Sequence, residues 1–301
     1  MIDIIVTSYN EPKSTLRAVN AFLNQNTQEE FRIIICDPFE EVREFIKKEI
    51  KDKRVGFFLD PGEGKSYALN LLFKKLKSDK KEDIFILTDG DVYVSDNAIN
   101  EISTAFKNKE IGCVTGKPIP VDKRNTQFGY WSHLLLSGIH RIREKLSNEK
   151  KFFECSGYLF AIRKGVIQDF PLDVSEDSVI PYLFWQKGYK IKYLSNVEVY
   201  VKNPDNIKDW ENQKLRNIKG HENLSKLFPE MPRTKTFWNE IKYGFFHTIF
   251  YPKNFKEFSW TLNLLKARYK IYNKAFKDMN DEKVYSDGWR EIEIKSTSPL
   301  D

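Results

Sequence analysis

Asp83-Ile84-Phe85-Ile86-Leu87-Thr88-Asp89-Gly90-Asp91-Val92-Tyr93-Val94 decides how the chain is read. The apolar run 84–87 stops abruptly at Asp89-Gly90-Asp91, the pattern of a buried strand that delivers two carboxylates to its C-terminal edge. In an open α/β sheet, ligands bind at that edge. Two Asp separated by a Gly that admits close backbone approach offer oxygen ligands to a hard divalent cation, Mg²⁺ or Mn²⁺, which can then hold a diphosphate.

Other readings of the stretch compete. Haloacid-type phosphatases also follow a strand with Asp-x-Asp, but they want Thr or Val where Tyr93 stands, and their motif normally opens the domain. An EF-hand loop wants Asp or Asn at position 93 and Gly at 94, and finds Tyr93 and Val94. A solvated turn after a strand stays open on this stretch alone, because Asp and Gly are turn residues.

Toward the N-terminus, strands alternate with helices. Residues 2–7 read as a strand, and Ser8-Tyr9-Asn10-Glu11-Pro12 as a turn whose Pro12 suits the first position of a helix carrying Leu16, Val19 and Leu23. A second strand, 31–36, ends at Asp37, and 41–50 repeats the helical period. Residues 54–59 give a third strand and 65–77 a third helix. This alternation predicts an α/β fold with a mostly parallel, helix-covered sheet. Pro61-Gly62-Glu63-Gly64-Lys65-Ser66 is not a Walker loop, since Leu59 occupies the place of its first Gly, but a Gly-rich turn at a helix start still offers N–H groups and Lys65 to an anion.

Toward the C-terminus, 96–106 reads as a helix, 111–115 as a strand, and 125–146 as a helix with the aromatic middle Phe128, Tyr130 and Trp131. Ser156-Gly157 precedes a strand at 158–162. Ser175 is a candidate cap for a helix whose first turn holds Glu176 and Asp177. Carboxylates favour a helix N-terminus without any catalytic duty, and equally one of the pair can act as a general base. Two short strands, 190–194 and 197–201, close a compact domain over residues 1–204.

After Asn203-Pro204-Asp205 the composition shifts. Residues 206–227 form a polar amphipathic helix with Gln213 and Arg216. Residues 236–277 mix aromatics such as Tyr243, Phe246, Phe250 and Phe255 with Lys242, Lys253 and Lys256. Two readings stand for this helical region, 205–301: a segment lying in a membrane interface, or an appendage packing its aromatics on the main domain. From Asp278 onward the chain is mostly polar and expected to be loosely held.

With 41% hydrophobic and 14% aromatic residues among 301, the chain can bury a substantial core, which excludes a disordered protein. The net charge of +6 suits anionic ligands or an anionic membrane surface and does not demand nucleic acid. Cys36, Cys113 and Cys155 are odd in number and form no Cys-x-x-Cys, so they read as reduced core residues of a cytoplasmic protein. No basic region precedes the first apolar run, so it reads as a strand and not a signal peptide. No stretch approaches the ~20 apolar residues that span a bilayer.

Taken together, these residues resemble glycosyltransferase family 2, the inverting enzymes of the GT-A fold that use nucleotide-diphosphate sugars. The resemblance runs from Ile4 to about Asn217. Ile5-Val6-Thr7-Ser8-Tyr9-Asn10-Glu11 is similar to the opening strand and turn around the base and ribose, which implies Thr7, Tyr9 and Glu11 as donor-binding residues. Asp37 matches the acidic residue that contacts the base. Gly64-Lys65-Ser66-Tyr67-Ala68-Leu69-Asn70 is similar to the Gly-Lys-x-x-Ala-Leu-Asn of processive and membrane-linked members. Asp89 and Asp91 fall where the metal-binding pair belongs. Ser156-Gly157 with Arg163 matches the segment near the sugars, and Glu176-Asp177 the pair that carries the base.

The resemblance implies Mn²⁺ or Mg²⁺, a UDP- or GDP-type donor, Asp177 as base, and Glu176 orienting the acceptor. It also implies Lys65, Arg163 and Arg216 as phosphate or acceptor contacts. Two departures stand out. Asp37 is followed by Pro38-Phe39 and not by Asp-Gly-Ser, and Gln213-Lys214-Leu215-Arg216-Asn217 lacks the Trp of processive synthases. The expected reaction is therefore one sugar added to a glycan or lipid-linked acceptor, on a protein that is cytoplasmic or peripheral at the cytoplasmic membrane face. A processive synthase, a sugar nucleotidyltransferase and a non-catalytic scaffold are the alternatives.

Overall fold

The computed structural model describes residues 1–78, 80, 82–172, 174–232 and 237–280; of the polar end expected to be loosely held, 278–280 close a helix and 281–301 lie outside the described residues. Four strands, β1 (Ile2–Thr7), β2 (Phe31–Asp37), β3 (Val55–Leu59) and β4 (Ile84–Asp89), run parallel with β1 between β2 and β4. Crossovers α1 (Pro12–Leu23), α2 (Glu40–Glu49) and α3 (Lys65–Lys75) join them. The register pairs Thr7 with both Cys36 and Asp89, so the ends of the first, second and fourth strands form one edge.

The remaining strands are β5 (Tyr93–Val94), β6 (Ile111–Pro120), β7 (Leu159–Arg163) and β8 (Lys190–Val201). They complete an eight-stranded sheet in the order β3-β2-β1-β4-β7-β6-β8-β5. The expected mostly parallel arrangement holds from β1 to β4 and between β6 and β8, and three pairings depart from it. β7 runs antiparallel to both β4 and β6, and β5 antiparallel to β8, so the sheet is mixed. Burial on both faces writes the same apolar run in either direction, and the sequence pattern carries no sign of strand polarity. The two short strands expected at 190–201 are one strand, whose pairing with β6 slips between Gly116 and Lys117.

Apolar side chains cover both faces of the sheet. One layer joins Ile4, Val6 and Ile33 to α1, α2 and α4 (Ala98–Phe106); the other joins Ile5, Phe85 and Phe160 to α3 and α6 (Glu176–Gln186). Cys36, Cys113 and Cys155 are buried and no disulfide joins them.

A third apolar cluster lies among helices. Tyr130, Trp131 and Leu134 of α5 (Gln127–Asn148) meet Trp210 of α7 (Ile207–Leu227) and Leu264 and Ile271 of α9 (Phe255–Asn280). Two hydrogen bonds fix this contact: Trp131 Nε1 donates to the Trp260 carbonyl at 2.8 Å, and the Tyr130 and Thr261 hydroxyls lie 2.6 Å apart. Between α7 and α9, α8 (Phe237–Phe250) rests on α5 where Gly138 leaves room for the His247 ring. Among the described residues no helix is long and apolar enough to cross a membrane.

Candidate active site

The site is built at the carboxyl edge of the parallel strands. Thr7 closes β1 and donates its hydroxyl to Asp89 Oδ1 at 3.2 Å. The turn after it is tied to β2 through Asp37, which accepts from Ser8 Oγ at 2.6 Å, Asn10 N at 3.0 Å and Phe39 N at 2.8 Å. Burial raises the Asp37 pKa above the ordinary carboxylate value, while these three donors work the other way. Tyr9, half-buried in the turn, meets Phe39 edge to face with ring centroids 5.1 Å apart. Glu11 is half-buried and its carbonyl accepts from Thr15.

Gly90 explains the spacing of the acidic pair. Its N–H donates to the Thr7 carbonyl at 2.7 Å, and an added Cβ would stand 2.7 Å from Ser8 Cβ and 2.9 Å from Thr15 Oγ1. No side chain fits there, so the turn that carries Asp89 and Asp91 lies directly on the β1 turn. Gly64 plays the other special part: at φ +107° it starts α3 in a conformation that L side chains rarely adopt, and it places Lys65 in the first turn.

Lys65 joins the two acidic motifs. Its Nζ lies 2.6 Å from Asp89 Oδ1 and 2.6 Å from Glu176 Oε1. Burial alone would lower its pKa, but the two carboxylates outweigh it and raise the value, so the ammonium is held charged. Glu176 and Asp177 open α6 as the sequence suggested, although the Ser175 hydroxyl makes no capping bond. Asp177 instead accepts from Gly157 N at 3.1 Å on Oδ2, which brings Ser156-Gly157 to the site.

Three expected residues fare differently. Asp91 is half-buried beside Asp89 in the turn. Arg163 is a correction: it pairs with Ile84 at the amino end of β4, five residues from Asp89, or about 16 Å along the strand. There its buried guanidinium donates to the carbonyls of Phe106 (2.6 Å), Asn108 (2.8 Å) and Ile111 (2.7 Å), fastening the end of α4. The reversed direction of β7 is what carries it away from the site. Arg216 is exposed on α7, and no described contact joins it to the acidic pairs.

Residue-by-residue reading missed Tyr158 and Glu154. Burial raises the Tyr158 pKa, and the Asp91, Asp89, Asp122 and Asp177 charges push it further, so a neutral phenol stands among the carboxylates. These neighbours come from separate segments, and only the fold assembles them. Glu154, buried, accepts from Ser178 Oγ at 2.8 Å and lies 3.5 Å from His221 Nε2, linking α7 to the residue after Asp177. The position of Glu154 just before Cys155-Ser156-Gly157 was the available signal.

Among the described residues no group of three or more His, Cys, Asp or Glu side chains could hold a metal by itself. Mg²⁺ commonly takes one or two carboxylates and completes its shell with substrate phosphates and water. The two carboxylates of the Asp89-Gly90-Asp91 turn, with the Lys65 ammonium beside them, fit a cation that arrives with a diphosphate.

This architecture is that of the GT-A glycosyltransferases. It aligns with the mannosyltransferase PcManGT from Pyrobaculum calidifontis, solved with GDP-Man and Mn²⁺, at a TM-score of 0.58 and 14% identity over 92% of this chain and 80% of that one. It also aligns with residues 1–349 of S. aureus TarS in complex with UDP-GlcNAc, at a TM-score of 0.50 and 13% identity over 98% and 95% of the two chains. The chain belongs to glycosyl transferase family 2, whose profile matches residues 3–170. An N-acetylglucosaminyltransferase of Rhizobium meliloti (strain 1021) is 22% identical over 240 residues, 71% of this chain and 54% of that protein. An uncharacterized glycosyltransferase of Rickettsia bellii (strain RML369-C) is 36% identical over 76 residues, 25% of this chain and 11% of its own length. The chain thus spans about half of the first curated relative and a smaller part of the second.

Proposed function

We propose that this glycosyltransferase moves one sugar from a nucleotide-diphosphate donor of UDP or GDP type to an acceptor hydroxyl, with inversion at the anomeric carbon. The observation that carries the reading is Lys65, whose ammonium lies 2.6 Å from a carboxylate of each acidic motif and so draws the donor-side and base-side residues together. Residues 1–204 hold the donor and the chemistry, and 205–301 serve the acceptor side.

In this reading Tyr9 and Asp37 receive the base, with Phe39 beside Tyr9 taking the place of the usual Gly-Ser, while Thr7 and Glu11 border the ribose. Asp91 and Asp89 are the residues that would hold Mn²⁺ or Mg²⁺, which would supply charge neutralisation on the leaving diphosphate. Lys65 adds its charge to the same phosphates, exchanging Asp89 for a phosphate oxygen. Asp177 takes the acceptor hydroxyl proton as the new C–O bond forms and the bond to the diphosphate breaks. Gly157 N–H holds that carboxylate in place. Glu176 orients the acceptor, a glycan or a lipid-linked sugar.

The test is thermal stabilisation by UDP, GDP, dTDP and CMP with Mn²⁺, Mg²⁺ or EDTA, on the native chain and on Asp91→Asn. A bound ligand raises stability according to its concentration relative to Kd. One nucleotide is expected to stabilise the native chain only with metal and to lose that effect in the variant. No shift with any nucleotide would favour a scaffold that keeps the fold.

A further inference from the structure

The aromatics of the C-terminal helices divide into two sets. Tyr251, Trp260, Leu264 and Ile271 pack on α5 and α7. A second set remains on the surface. On α9, Phe255, Phe258, Leu262, Leu265, Tyr269 and Phe276 recur at steps of three, four or seven residues and are all exposed, Phe255 to 95%. On α8, Phe245, Phe246, Ile249 and Phe250 follow the same helical spacing, with Lys242 one turn before them; Phe246 is 71% and Phe250 79% exposed. Phe250 ends α8 and Phe255 begins α9, with the exposed Lys253 in the turn between them. Large apolar side chains exposed in this number on neighbouring helices mark an interaction site.

Charge selects the occupant. Lys253, Lys256, Lys266, Lys270, Lys274 and Lys277 are exposed on and beside the α9 stripe. From residue 242 to 277 the one acidic residue is Glu257, and it is buried against Arg124, which donates to both its oxygens at 2.9 Å. The three-and-four spacing on α9 would also suit a second helix. A second copy of this chain, however, would set lysine against lysine, because the two acidic residues of α9, Glu257 and Asp278, are already paired with Arg124 and with Lys219 of α7. We infer that the α8–α9 hairpin lies in the interface of an anionic lipid bilayer, its phenylalanines among the acyl chains and its lysines at the headgroup phosphates. This goes beyond the catalytic reading and stands independently of it.

Vesicle sedimentation of the full chain tests the inference, comparing phosphatidylcholine with mixtures of phosphatidylcholine and phosphatidylglycerol. Binding is expected only to the anionic vesicles and is expected to fall as salt rises. F250S/F255S and K266E/K274E change exposed side chains, so melting temperatures and nucleotide-induced shifts should stay at native values, while partition weakens at least tenfold, the scale expected for ~1 kcal/mol per lysine lost at the surface. Failure of the native chain to bind anionic vesicles overturns the inference. So does equal binding by F250S/F255S, or self-association in the ultracentrifuge that these variants abolish without any vesicle binding. None of those outcomes touches the donor site, whose own test is the nucleotide shift.

Discussion

Lys65 is the residue on which the two halves of the site depend, and its neighbours give the sharpest predictions. Asp177→Asn should lower turnover by about 10²–10⁴-fold, the usual worth of a positioned base, while leaving nucleotide-induced stabilisation at the native level. Steady-state kinetics beside a thermal-shift titration would check both halves, and near-native turnover would remove Asp177 from the role. Gly90→Ala should cost about 1–3 kcal/mol, because the new methyl must displace Ser8 or Thr15 from a well-packed turn. Urea denaturation measures that cost. The four acidic residues were legible in the sequence because each sits where a strand or helix pattern breaks. Tyr158 was not, because the four charges around it arrive from three separate segments, the turn of Asp89 and Asp91, Asp122, and Asp177. Arg163 was misread for a different reason. Its place in a motif says which strand it is on, but not which end of that strand faces the ligand.

Among elements, Arg163 and the α5–α8 contact lead to tests of different kinds. Arg163→Met removes the donor shared by the Phe106, Asn108 and Ile111 carbonyls between α4 and β6, and since Asn108 still accepts from Ile111 N a loss of about 2 kcal/mol is expected, at ~1 kcal/mol or more for each acceptor left unpaired. Activity per folded molecule should be unchanged; a selective loss of donor affinity would return Arg163 to the site. His140 and His247 both stand on the α5 side of the helical layer. Burial lowers both pKa values from 6.5, with nearby cations, Arg141 among them, adding to the effect. A lowered histidine pKa means that the fold prefers the neutral ring. That contribution is complete above pH 6.5 and is lost as the pH falls below it. The urea midpoint should therefore drop between pH 7.5 and about pH 5.5, and the drop should shrink in His247→Gln. Helices and strands were legible through their apolar periods. The antiparallel turn of β7 was not, because a strand covered on both faces shows the same run whichever way it points.

For the molecule as a whole, the sequence left two readings of the aromatic C-terminal helices open, and the structure packs one set of their aromatics on α5 and α7 and leaves another exposed. Trp131, Trp210 and Trp260 hold α5, α7 and α9 to one another, while a separate set of phenylalanines stays outside. Helical spacing alone could not separate them, because both faces of α9 are apolar and only packing against α5 decides which is inner. One measurement addresses the integrity of the assembly. Burial raises the Cys36 and Cys113 thiol pKa values, with Asp60 adding to the effect at Cys36, and Cys155 is buried too. Ellman's reagent should find no reactive thiol in the native protein and all three on unfolding. Early titration of any one of them would reveal local opening of the sheet. Those same hidden sulfurs leave the outer surface chemically blank. A single cysteine installed at position 255 would take a maleimide dye without removal of any native one, and its emission colour would then report directly whether the hairpin tip sits in water or in oil.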